Sequence, residues 1–238
     1  MKRTVLALLL AVFMAATLMT VGAAAEDNEA AIGDTKYATL TEALSKAQRG
    51  ETVTLLKDID NSIDEGYTGG INYRLKEGVT LDGDGHTISG HIGVWINAAG
   101  GTVKNVKFVN IHNNVVVDPD TCEYYGWESK TGNQSAIYAS DLTGKVVIKD
   151  CTFDNIDWDA IQITPKEGSS IEITGNVFEH TNTTDTQLRY VHIQSAYSIF
   201  GKAVDMVITD NQFFASANKS DNVCSIGAWY VNDSAEEV

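Results

Sequence analysis

The chain has 238 residues, 43% of them hydrophobic and 21% charged, which is enough for one substantial core and fits a single elongated domain. Its 17 Lys and Arg against 32 Asp and Glu give a formal charge of -15, which argues against nucleic acid and anionic membranes as partners. Three cysteines, an odd number without metal-ligand spacing, argue against a disulfide framework and leave Cys122 with Cys224 as the one pair worth testing.

In chain order, Lys2 and Arg3 precede an apolar run from Val5 to Met19, and small residues end at Ala23, Ala24 and Ala25. This is the pattern of a secretory signal peptide over residues 1–25, cut after Ala25. All acidic residues follow that cut and two basic ones precede it, so the mature chain carries 15 basic against 32 acidic residues, a formal -17. The mature protein is therefore expected to be secreted, or at the extracellular surface, with no integral membrane segment left after cleavage. Residues 26–35 are acidic and small and read as a linker ahead of one domain over residues 36–238. From Thr39 to Arg49, Leu40, Ala43, Leu44 and Ala47 fall at helical spacing, Thr39 and Glu42 are placed to form a capping box, and Gly50 ends the helix. The alternating β-rich run Thr52 to Leu56 then reads as the first strand.

From Val79 onward the chain repeats. Val103 to Phe108, Ile148 to Phe153, Ile173 to Phe178 and Ile208 to Phe213 each read aliphatic, polar, a turn-like or small pair, polar, Phe. The second member of each pair is Val106, Cys151, Asn176 and Asn211. Each segment has a partner strand, in turn Val94 to Ile96, Ile137 to Ala139, Ile161 to Ile163, Val191 to Ile193 and Ile226 to Ala228. The Phe residues are 45, 25 and 35 apart, so one coil takes roughly 22 to 25 residues plus insertions. Short strands bury an apolar face only by stacking coil on coil, which predicts an all-β, right-handed parallel β-helix with two strands per coil and a short N-terminal capping helix. Phe108, Phe153, Phe178 and Phe213 are then an interior column. Asn176 and Asn211 form an amide ladder at a bend whose left-handed backbone Asn tolerates, and Cys151 is a buried small hydrophobe in the same column.

Tyr37 to Leu44, Gly50 to Leu55, Val79 to Ile88 and these coils resemble the pectin lyase-like superfamily of right-handed parallel β-helices. The resemblance covers nearly the whole mature chain and implies the fold. It does not select a function, since that fold hosts lyases, hydrolases, esterases, adhesins and surface proteins.

From each Phe to the next partner strand the gaps are 29, 8, 13 and 13 residues, so the insertions gather at one corner and build one rim. The longest carries Tyr124, Tyr125, Trp127 and Glu128. Beside that rim the outward residues of the partner strands, Trp95, Tyr138, Gln162 and His192, form a column, with Asn97, Ser140, Thr164, Gln194 and Trp229 as a second. These are either a platform for an extended glycan, aromatics covering sugar rings and amides bonding hydroxyls, or an ordinary solvated β-face.

Asp157 and Asp159 flank Trp158 at the same corner and are the residue types for acid and base at a glycosidic bond, or for holding calcium against an acidic sugar. Arg189 and His192, one coil on, are suited to a charge clamp and a base for β-elimination. Acidic residues near turns are more often simply solvated, and none of these four falls in a recognisable lyase or hydrolase motif. Asp82, Asp84 and His86 alternate with Gly as a turn does and lack the later Glu of a calcium loop, so no metal site is expected there. No cofactor is implied, and calcium enters only if the ligand is an acidic polysaccharide. The leading reading is a non-catalytic exported protein that binds extracellular polysaccharide. A small polysaccharide lyase or glycoside hydrolase is the alternative, and a structural surface module without a glycan ligand is the third. An open last coil near Trp229 and Tyr230 is a pairing edge that permits self-association.

Overall fold

The computed structural model describes residues 27–61, 73–90, 93–111, 135–156, 159–181, 189–196, 204–214 and 224–231. The signal-peptide reading of residues 1–25, Cys122, Tyr124, Trp127, Asp157 and Trp158 fall outside these residues.

The first elements are β1 (Ala30–Ile32), β2 (Thr35–Tyr37), α1 (Leu40–Lys46), β3 (Thr52–Leu55), β4 (Ile59–Asn61) and β5 (Tyr73–Leu75). Next come β6 (Thr80–Asp82), β7 (Thr87–Gly90), β8 (Val94–Ile96), β9 (Gly100–Lys104), β10 (Lys107–Ile111) and β11 (Ser135–Leu142). The chain continues through β12 (Lys145–Lys149), β13 (Thr152–Asp154), β14 (Asp159–Pro165), β15 (Ser170–Thr174) and β16 (Val177–Glu179). Finally come β17 (Arg189–Ala196), β18 (Asp205–Thr209), β19 (Gln212–Phe213) and β20 (Cys224–Val231). The protein is all-β with parallel sheets and, among the described residues, one helix.

From β3 onward the chain visits three sheets in turn, so each sheet collects every third strand. The first runs β18-β15-β12-β9-β6-β3-β1-β2, the second β19-β16-β13-β10-β7-β4 and the third β20-β17-β14-β11-β8-β5. There are thus three strands per circuit where two were expected. The segment ending in each Phe is not one strand: it turns a corner from the first sheet to the second. Thr80 pairs with Thr102 and Lys145 with Ser170, in parallel, so uninterrupted circuits take 22 and 25 residues.

Alternation along each strand sends apolar residues to one shared core. In β12 and β15, Val146, Ile148, Ile171 and Ile173 are fully buried. Phe108, Phe153, Phe178 and Phe213 stack, with ring centroids 5.3, 4.9 and 4.9 Å apart and planes within 9° of parallel. Behind them Asn176 Nδ2 donates to Ile148 O (3.0 Å) and to Asn211 Oδ1 (2.9 Å), and Asn211 Nδ2 donates to Ile173 O (2.8 Å). The ladder is as expected, but the left-handed residue is one place earlier: Asn105, Asp150 and Asp210 have φ of 55°, 55° and 58°, and Gly175 has 69°. The corner needs one residue to bend the chain from the first sheet into the second and another to tie the circuits together.

At the N-terminal end α1 buries Leu40, Ala43 and Leu44 over the core. Thr39 Oγ1 accepts from the Glu42 N–H (3.1 Å), half of the expected capping box, while the Leu40 N–H donates to Glu29 Oε2 (2.8 Å). The helix stops at Lys46, short of the expected Arg49. Ala47 is buried and extended, so the chain has already turned inward, and Lys76 Nζ bonds the last carbonyls, Ser45 O and Ala47 O, in place of a glycine cap. Gly50, φ 86°, belongs instead to the turn into β3. Residues 26–35 are not a linker throughout: β1 pairs antiparallel with β3 and β2, so this segment covers the edge of the first sheet.

Candidate functional site

The third sheet carries the predicted column in register. Arg74 lies beside Trp95, Trp95 beside Tyr138, Tyr138 beside Gln162 and Gln162 beside His192. Within β8, β11 and β14 the flanking residues Val94, Ile96, Ile137, Ala139, Ile161 and Ile163 are fully buried, and Trp95, Tyr138 and Gln162 between them are half-buried on the outer face. The next residues of the column, His192 and then Gly227, follow in register on β17 and β20.

The aromatics do not lie flat side by side. Trp95 and Tyr138 meet edge to face, centroids 5.6 Å apart and planes 70° apart, and the Arg74 guanidinium sits 4.6 Å from the Trp95 ring centroid. A flat platform for a sugar chain is therefore replaced by a stepped wall. That wall borders a groove of about 580 Å³ between α1 and the outer side of the third sheet, within the usual range for small-ligand sites. Thr41 and Ser45 line it from α1, Arg74 and Lys76 from β5 and the residue after it, Trp95 and Asn97 from around β8, and Ser140 and Asp141 from β11.

Its polar groups are held in place. Asn97 Oδ1 accepts from the Ala99 N–H (2.9 Å). Asp141 is the extra residue of a bulge: the register with β14 shifts between Ala139 and Leu142, and Asp141 takes φ 52°. Its carboxylate accepts from Lys166 Nζ at 2.9 Å. Among the described residues the groove thus combines two cations, one paired carboxylate, an amide, hydroxyls and the ring of Trp95.

The catalytic candidates fare differently. Asp159 is fully buried, with no exposed surface, so it does not lie on the solvent rim expected for it. It has the same strand parity as Ile161 and Ile163, two and four residues on, but Ala160 of the opposite parity is fully buried too, so both faces of β14 are covered at this end. Register brings Arg189 beside Asp159 and His192 beside Gln162, which places these candidates on neighbouring strands. Asp157, Trp158, Tyr124 and Trp127 lie outside the described residues. The chain segments that leave between the second and third sheets, after β10, β13, β16 and β19, do share one corner, as the gap lengths predict. Near that corner His180 is 2% exposed, and neither ring nitrogen has a hydrogen-bond partner among the described residues.

Asp82 is part of the expected turn. Its carboxylate accepts from Asp84 N–H and Asn105 Nδ2, each at 3.0 Å, and from Lys104 Nζ at 2.8 Å. His86 Nδ1 lies 3.2 Å from Asp58 Oδ1. Sequence reasoning missed Arg74, Lys76, Thr41 and Ser45 as groove residues, because the repeat was traced only from Val79. The signal was present: Tyr73 Arg74 Leu75 has the same apolar, outward, apolar order as Val94 Trp95 Ile96.

No protein-family model matches the chain, and no curated protein and no solved structure matches it either.

Proposed function

We propose that the chain is a right-handed parallel β-helix of the pectin lyase-like kind, exported by a signal peptide over residues 1–25, which binds an extracellular glycan without cleaving it. The fold reading is supported by parallel pairing of every third strand over circuits as short as 22 residues, stacked on one core. The binding reading is carried by the groove at Trp95, with Tyr138 beside Trp95 on the next strand. A pyranose has an apolar face and a rim of hydroxyls, and this wall offers both complements. The exposed part of the Trp95 ring takes the apolar face, with Tyr138 edge to face beside it, while Arg74 donates and Asn97 and Ser140 donate or accept at the rim.

Cleavage needs more than this. Glycoside hydrolysis commonly uses two carboxyl groups about 5 to 9.5 Å apart across the bond, and Asp141, already paired with Lys166, is the one carboxylate lining the groove among the described residues. The burial of Asp159 takes a second away from the surface. The test is retardation of the purified chain in native gels cast with neutral or uronic-acid polysaccharides. The chain should be retarded by at least one of them, and the Trp95→Ala, Tyr138→Ala double variant should run as in a plain gel while keeping its folded circular-dichroism spectrum. Equal retardation of both proteins would place glycan binding elsewhere.

A further inference from the structure

The two ends of the stacked sheets differ. The N-terminal end is closed by α1 and by the antiparallel β1 and β2, whereas β18, β19 and β20 are the outermost strands of the other end among the described residues. There the core pattern runs on into solvent. Met206 and Ile208 pair with the fully buried Ile171 and Ile173, yet Met206 is 50% exposed, and Phe214 and Ile226 are 50% and 46% exposed.

We infer that this end is a two-fold dimer interface in which β18 pairs antiparallel with β18 of a second copy, centred on Val207. Three observations choose this occupant. First, the backbone of β18 faces both ways in a fixed order: the Asp205 N–H donates to Ser169 O and Thr209 O accepts from Gly175 N–H, so 205, 207 and 209 are turned toward β15. Met206 and Ile208 therefore present their N–H and C=O groups to the edge that no described strand pairs with. About the Val207 axis, Met206 stands opposite the partner's Ile208, and the two strands exchange reciprocal pairs of hydrogen bonds.

Second, this register keeps the core-facing residues of both strands on one face, since 206 meets 208, and extends the apolar interior across the joint. Third, the charges allow it. A second copy of a chain with formal charge -15 is repelled by most of this surface, but β18, β19 and β20 hold a single charged residue, Asp205. In the Val207-centred register Asp205 lies opposite Thr209, not opposite its own copy. Because the other end is covered, the contact closes as a pair and does not propagate into a filament.

The geometry makes a sharp test. Val207 pairs with itself at a non-hydrogen-bonded position, where Cα atoms are about 4.5 Å apart, within disulfide range. Thr209 is two residues from the axis, so the two copies of it stand about 14 Å apart. Sedimentation equilibrium of the purified chain should give twice the chain mass. Val207→Lys, a change at an exposed outer-face position, should give a monomer with an unchanged melting transition. Under mild oxidation Val207→Cys should yield a covalent dimer well above the level of the unsubstituted chain, and Thr209→Cys should not. A monomer at every concentration overturns the inference, as does a dimer that survives Val207→Lys, or a Thr209→Cys variant that crosslinks as readily as Val207→Cys.

Discussion

At Asp82, burial works to raise the carboxyl pKa, but the bonds from Lys104 and Asn105 and from the Asp84 N–H outweigh it and hold the group below the usual carboxylate range. A carboxyl whose folded pKa is depressed adds stability that is present above its unfolded value, about 3.9, and is lost as the pH falls through the lower folded value. Asp82→Asn keeps an acceptor for Asn105 and loses the pair with Lys104. It should cost about 1 kcal/mol in urea melts at pH 7, and the difference from the parent chain should shrink toward zero on acidification below pH 4. Cys151 shows the opposite effect of burial: 1% exposed, its thiol is pushed up to about 12. It should be silent to a thiol reagent that labels exposed cysteines in the folded chain, and react once urea unfolds it.

Among the elements, the first corner shows how the circuits are tied. Asn176 takes the Cys151 N–H on its Oδ1 (3.0 Å) and donates to Ile148 O and Asn211 Oδ1, so Asn176→Ala removes a partner from two backbone groups and one amide oxygen at once. The expected loss is about 3 kcal/mol in a denaturant titration. Cys151 occupies the equivalent place one circuit earlier, its Sγ 3.9 Å from Val103 O, so Cys151→Asn should extend the ladder and leave stability within about 1 kcal/mol of the parent. This column was legible in the sequence because each corner repeats the same residue types at the same distance from a Phe. Its left-handed residue was misplaced by one because Asn fits both roles, and only the backbone separates them. The third strand of each circuit was missed for a related reason. The polar residue before each corner reads as a continuation of the strand when the corner itself is two residues long. The helix end was misread because Lys76, about 30 residues away, supplies the cap that Gly50 was expected to give.

On the scale of the whole molecule, the sequence carried the repeat and the outward place of Trp95, Tyr138 and Gln162, since both follow from alternation and spacing. It did not carry the shape of the site. The tilt of Trp95 against Tyr138, the guanidinium over Trp95 and the burial of Asp159 depend on neighbours one circuit away, at distances that no spacing along the chain fixes. Those same features turn the expected flat platform into a groove and move the account away from catalysis. The most direct measurement incubates the purified chain with a panel of insoluble neutral and uronic-acid polysaccharides, calcium present. It follows, in the same samples, protein left in the supernatant, ultraviolet absorbance and reducing ends. The account predicts that the chain is depleted by at least one polysaccharide with no new unsaturated or reducing ends. Depletion by none of them would contradict the proposed glycan binding, and new ends would contradict the proposal that the bound glycan is left uncut and would point to the corner at Asp157.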